Sequence, residues 1–192
     1  KKKMRKKLKQ RYKTGYCRHF RAASRDCCAA VRRDKRITLY SSGIPKLIRK
    51  MADDQVIFNL AVSLQSAIDE TRTGIMPFNE QFGLDELRQS LEYWYEKTGR
   101  KITFEYCVWK DINDRQQDID ALIRFCRHIP SKVNLITYNT IGDERFAQAS
   151  KEALERYTRC LKNAGITVTV RRSRGSDIDA ACGQLANKEE QG

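Results

Sequence analysis

Histidine is scarce in this chain: there are two, His19 and His128. Neither stands at a spacing from Cys or Asp that would build a zinc site or a His-based nucleophile. There is no Walker A motif and no Gly-rich dinucleotide loop, so nucleotide binding of those kinds has no support. No apolar run reaches the ~18–20 residues of a membrane helix. The basic start is not followed by the apolar stretch of a secretory signal. Seven cysteines are present, but without the spacing of a disulfide framework. The expectations are a reducing, cytoplasmic setting, no membrane partner, and Cys27, Cys28, Cys107, Cys126 and Cys160 as buried or partly buried thiols.

Acidic residues are nearly absent from one part of the chain. Residues 1–36 carry 16 Lys/Arg against Asp26 and Asp34, whereas residues 37–192 carry 22 Lys/Arg and 22 Asp/Glu. The whole net charge of +14 therefore resides in the first 36 residues. That stretch shows no sustained apolar period. It reads either as a disordered basic arm able to bind RNA phosphates by counterion release, or as out-of-frame sequence never selected to fold with the remainder. Residues 37–192 form the second unit.

From Ile37 onward, strand and helix patterns alternate. Strands are expected at "ITLYSSG", "VIFNLAVSL", "KITFEYCVW", "KVNLITYN" and "ITVTVRR". Helices are expected at "IPKLIRKMADD", with Ile44, Leu47, Ile48 and Met51 on one face, and at "DELRQSLEYWYEKTG", closed by Gly99. Two more are expected at "RQQDIDALIRFCRHI", stopped by Pro130, and "QASKEALERYTRCLKNAG". Four βα units followed by one more strand make an α/β protein with a mainly parallel sheet. They are too few for a closed eight-stranded barrel and suit an open or partial one.

In such folds the reactive groups stand at the C-terminal ends of strands. That rule selects Ser41–Gly43, Ser63–Ser66, Trp109–Asn113 and Tyr138–Ile141. The last strand delivers Arg171, Arg172 and Arg174, whose guanidinium groups suit contact with an RNA backbone or form a solvated strand end. Acid pairs such as Asp111 with Asp114 read as solvated charge. Cys182 follows in "DIDAAC", where small neighbours leave it free to be either a mobile thiol or a packed one.

Several segments together resemble one family. "RSRGSDIDAACGQLA", "RITLYSSGIPKLIRKMADD", "NLAVSLQSAIDETRTGIMPFN", "ITFEYCVWKDIND" and "SKVNLITYN" occur in the order of the motifs of RlmN/Cfr-type radical S-adenosylmethionine RNA methyltransferases. The wording is closest to the RlmN members, and residues 36–190 resemble their C-terminal part. The resemblance implies the C-terminal portion of a radical-enzyme (β/α) barrel whose first strands are missing. It also implies S-adenosylmethionine and a [4Fe–4S] cluster as cofactors, an electron donor, and adenine C2 of 23S rRNA and tRNA as the methylated position. Cys182 matches the cysteine that is first methylated and then passes its carbon on as a radical. C2 of adenine is not nucleophilic, so a polar transfer there would face a high barrier, and the cofactor supplies the difficult chemistry.

By the same resemblance, Ser63, Leu64, Gln65, Asn139 and Tyr40 occupy cofactor-contact positions. Two of them depart from the family: Tyr40 stands for a serine and Gln65 for a histidine. The family's C-x3-C-x2-C cluster motif and its "GEP" loop occur nowhere in the 192 residues. Three thiolates are the minimum for such a cluster. The expectation is a chain that makes no methyladenine by itself. The alternative is a non-catalytic RNA-binding protein that uses the basic arm.

Overall fold

The structure is a computed structural model and describes residues 37–138 and 146–171. The stretch 1–36 and the candidate residues Asn139, Arg172, Arg174 and Cys182 lie outside the described residues. Five strands form one all-parallel sheet in sequence order: β1 (Thr38–Ser41), β2 (Asn59–Ser63), β3 (Ile102–Val108), β4 (Ser131–Thr137) and β5 (Thr167–Arg171). Between them run α1 (Pro45–Asp53), α2 (Asp69–Ile75), a 3-10 turn (Pro77–Glu80), α3 (Leu84–Thr98), α4 (Gln116–Arg127) and α5 (Lys151–Asn163). The strand order never reverses. Crossovers of one hand then carry every helix to the same face, as in a barrel wall.

Alternation along the strands separates the two faces. Leu60 and Val62 of β2, Ile102, Phe104, Tyr106 and Val108 of β3, and Val133 and Leu135 of β4 join one core with Ile48, Leu87, Trp94, Leu122 and Tyr157 from the helices. The intervening residues, including Ser63, Thr103, Glu105, Cys107 and Asn134, occupy the opposite, inner face. All seven residues of β3, the central strand of the five, are buried.

Local chemistry sets the helix ends. Pro45 opens α1, where its missing N–H costs nothing. Ser150 caps α5 by accepting the Ala153 N–H at 3.1 Å. Gly99 closes α3 in the left-handed region, at φ 64°.

Three details differ from the sequence expectation. Leu47 is 42% exposed, because it lies at the margin of the stripe that buries Ile48, Met51 and Ala52. β2 begins at Asn59 rather than Val56, since pairing with β1 starts at Thr38 opposite Asn59. Finally, α2 and the 3-10 turn have no counterpart in the periodicity reading: the α2 sequence, DETRTGI, carries no apolar stripe.

Asp118, in the first turn of α4, is buried. Its Oδ2 accepts the Arg115 N–H at 3.2 Å, while Oδ1 has no partner among the described residues. Burial raises its pKa above the ordinary carboxylate value. A raised folded-state pKa contributes stability below the unfolded value that is lost as pH rises through the folded one. Asp118→Asn should therefore gain on the wild type between pH 4 and pH 7, read as the difference in urea midpoints. A midpoint difference that stays constant with pH would contradict this.

Candidate functional site

Two buried polar residues gather the C-terminal ends of the first three strands into one rim. The β1–β2 ladder ends at Ser41 opposite Val62. Beyond it, Arg72 of α2 reaches across both strand ends. Nε donates to the Leu64 carbonyl at 3.0 Å, Nη2 to the Ser42 carbonyl at 3.1 Å, and Nη1 to Asn79 Oδ1. Between the strand ends, Gly43 takes φ +95°, and a Cβ there would stand 3.3 Å from Arg72 Nη2 and 3.1 Å from Leu87 Cδ1. Only glycine meets both demands.

Asn113 does the equivalent work between β2 and β3. Its Nδ2 donates to the carbonyls of Gln65 (2.8 Å) and Cys107 (2.9 Å), and its Oδ1 accepts the Trp109 N–H at 2.8 Å. All three hydrogen bonds of this buried amide go to backbone. The Tyr157 hydroxyl donates to the Asn113 carbonyl at 2.5 Å and lies 3.4 Å from the Tyr106 hydroxyl. Burial raises the pKa of both phenols, so they act as neutral hydrogen-bonding groups.

The sequence candidates fall on this frame as follows. Ser63 is half-buried on the inner face, at the last position of β2 and opposite Glu105. Leu64 turns its side chain into the helix-facing core; its N–H donates to the Glu105 carbonyl and its own carbonyl is held by Arg72 and Ser66. Leu64 thus places its neighbours. Gln65 adopts φ +63°, a conformation uncommon outside glycine, and its Oε1 accepts the Cys107 N–H at 3.0 Å. Tyr40 is 51% exposed on β1, at the register position of Ala61 on β2. Arg171 is exposed at the end of β5, opposite Ile136.

Ser63 also heads a row of polar side chains whose other members were not singled out from sequence. Ser63, Glu105, Asn134 and Thr169 stand at one register level across β2, β3, β4 and β5. Asn134 Nδ2 donates to Glu105 Oε1 at 2.9 Å, and the Thr169 hydroxyl donates to Asn134 Oδ1. Glu105 is 3% exposed, a carboxylate kept on the inner face by this row. Its signal in the sequence was an acid inside an otherwise apolar strand. Arg72 and Asn113 carried a fainter one, as polar residues inside the segments quoted for the family resemblance.

A polar inner face beneath left-handed strand-end turns fits a polar cofactor such as S-adenosylmethionine, and Ser63 and Gln65 are the described residues that would meet it. An iron–sulfur cluster does not fit the described residues. No three His, Cys, Asp or Glu side chains among them converge to hold a metal ion. Cys107 lies on the inner face and Cys126 on α4 across the sheet, where burial pushes its thiol up to about 11.

An in-order parallel sheet with its helices on one face and a polar strand-end rim is the arrangement of part of a (β/α) barrel wall. The crystal structure of a radical SAM methyltransferase from Sphaerobacter thermophilus superposes with a TM-score of 0.75 at 37% identity, covering 78% of this chain and 44% of that one. No protein-family model matches the chain. Two curated relatives, each named "Probable dual-specificity RNA methyltransferase RlmN", are each 63% identical: over 155 residues in Flavobacterium johnsoniae and over 154 in Christiangramia forsetii. Those alignments cover 81% and 80% of this chain. Over these residues the chain belongs to the RlmN family of radical S-adenosylmethionine methyltransferases, and it spans 44% of the length of these curated relatives.

Proposed function

We propose that this chain is the C-terminal part of an RNA methyltransferase acting on C2 of adenine in 23S rRNA and tRNA, with Cys182 as the methyl carrier. One observation carries the reading. Strand-end segments around residues 42, 64 and 113, distant in sequence, meet at one end of one sheet, in a chain 63% identical to proteins of the RlmN name. When bound, S-adenosylmethionine supplies an electrophilic methyl group on a sulfonium. Cys182, as its thiolate, would be the residue that accepts that methyl group. A thiolate is the side chain best suited to that role at neutral pH.

Ser63, Gln65 and Asn139 orient the cofactor, Tyr40 borders it, and Arg171, Arg172 and Arg174 meet RNA phosphates. These 192 residues hold no C-x3-C-x2-C, so the chain makes no methyladenine alone. An electron donor and the cluster-bearing part of the enzyme are the partners required.

The test uses cells devoid of their own adenine C2 methylation, with 2-methyladenosine measured in digested rRNA and tRNA. The chain alone should yield none. Co-expressed with the cluster-bearing part of a relative, it should yield 2-methyladenosine and carry one methyl group on Cys182 by peptide mass spectrometry; Cys182→Ala should abolish both. Methylation unaffected by Cys182→Ala would overturn the carrier role. RNA binding that is salt-sensitive, lost on deleting residues 1–36 and never accompanied by methylation would favour the basic-arm binding protein instead.

A further inference from the structure

Arg72 is fully buried, at 0% exposure, on a helix of only seven residues. Burying a guanidinium is costly, and an apolar side chain of similar volume would fill the same space more cheaply. Burial pushes its pKa down to about 10, which leaves it charged at neutral pH. The acid whose charge acts on it, Asp69, is linked to it through Asn79, whose Nδ2 donates to Asp69 Oδ1 at 3.0 Å. The Phe78 ring lies under the guanidinium carbon at 5.3 Å. Asn79, Asp69 and Phe78 therefore hold Arg72 from one side, and its two free edges face the Ser42 and Leu64 carbonyls.

Those carbonyls belong to the two strand-end turns that flank the inner face. The β1–β2 ladder has already stopped at Ser41 and Val62. Among the described residues, the hydrogen bonds that join the two turns beyond that point run through Arg72. Leu64 precedes Gln65, whose φ of +63° sets the direction of the turn.

We propose that Arg72 is a positioning residue that fixes the Ser42–Gly43 and Leu64–Gln65 turns at the separation needed to seat S-adenosylmethionine, an inference that rests on the cofactor reading above. Arg72 touches no substrate; it acts through the two carbonyls. A lysine can keep the charge and one of the bonds but cannot span both carbonyls, because it lacks the planar fork.

The experiment compares the full 192-residue chain with Arg72→Lys, Asn79→Ser and a control, Leu122→Ala, which empties core space under α4 away from the rim. Two quantities are read at a temperature where all four are folded: S-adenosylmethionine affinity by equilibrium dialysis, and amide hydrogen exchange. Losing one charge-assisted hydrogen bond predicts affinity weakened about tenfold or more in Arg72→Lys, with a smaller loss in Asn79→Ser. Exchange should quicken selectively at residues 42–44 and 63–67 while β3 stays protected. Leu122→Ala should lose stability yet keep its affinity within about twofold.

Affinity and rim exchange in Arg72→Lys that match the Leu122→Ala control would overturn the proposal. If the wild type binds no S-adenosylmethionine while rim exchange still rises selectively in Arg72→Lys, the brace is upheld and the cofactor reading falls. If Arg72→Lys fails to fold, Asn79→Ser decides: a selective rise in rim exchange supports the brace and none refutes it.

Discussion

Asn113→Asp should destabilise the fold by about 3–5 kcal/mol at neutral pH, although it changes one atom of one side chain. The amide end of Asn113 faces two carbonyl oxygens, Gln65 at 2.8 Å and Cys107 at 2.9 Å, and its oxygen faces the Trp109 N–H. The amide can fit only one way round, since flipping it would set acceptor against acceptor twice. A carboxylate keeps the Trp109 bond, abandons both carbonyls and points negative charge at them. Each abandoned buried acceptor costs about 1–3 kcal/mol, against a total stability of about 5–15 kcal/mol for most domains. For a chain of this size the midpoint of thermal unfolding should fall by about 10 °C or more. Urea unfolding of the two proteins, monitored by circular dichroism, is the measurement. A difference below about 1 kcal/mol would mean that the rim does not depend on this amide.

Trp94→Ala should cost a similar amount, about 3–5 kcal/mol, by a different route. Trp94 is fully buried on α3 and packs its ring 6.1 Å from Phe58, in the layer where α3 meets α1. The loss there comes from missing van der Waals contacts and an unfilled cavity rather than from orphaned polar groups. Trp94→Phe provides the internal comparison. The indole N–H has no partner among the described residues, so replacing it with a phenyl ring removes an unfavourable group along with some volume. Trp94→Phe should therefore cost less than half of what Trp94→Ala costs. Equal losses from the two would place the energy in the N–H and not in the packing.

Much of the fold was legible because two periods are hard to disguise. The run Ile102, Phe104, Tyr106, Val108 reads as a strand face, and the stripe Leu84, Leu87, Leu91, Trp94 reads as a helix face. The rule that parallel strands present their working residues at C-terminal ends points to residues 41–43, 63–66 and 109–113, segments that the fold brings to one rim. It could not say what joins them. Arg72 and Asn113 act across 30 and 48 residues of chain, to Ser42 and Gln65, and no local pattern announces a contact of that span. Glu105 was read as one letter of a strand. Its position in the row with Asn134 and Thr169 depends on register, which alternation within single strands does not specify. α2 escaped because its core-facing side chain is an arginine, while the periodicity reading looks for apolar ones.

The contact between Gly43 and Arg72 has a consequence for how such a sequence can change over generations. A side chain at 43 would be strained at φ +95° and would press at 3.3 Å on the guanidinium that serves two carbonyls. A change at 43 is therefore felt at 72 as well, and a lineage that makes it passes through a less stable ancestor. The two positions are coupled, though written 29 letters apart.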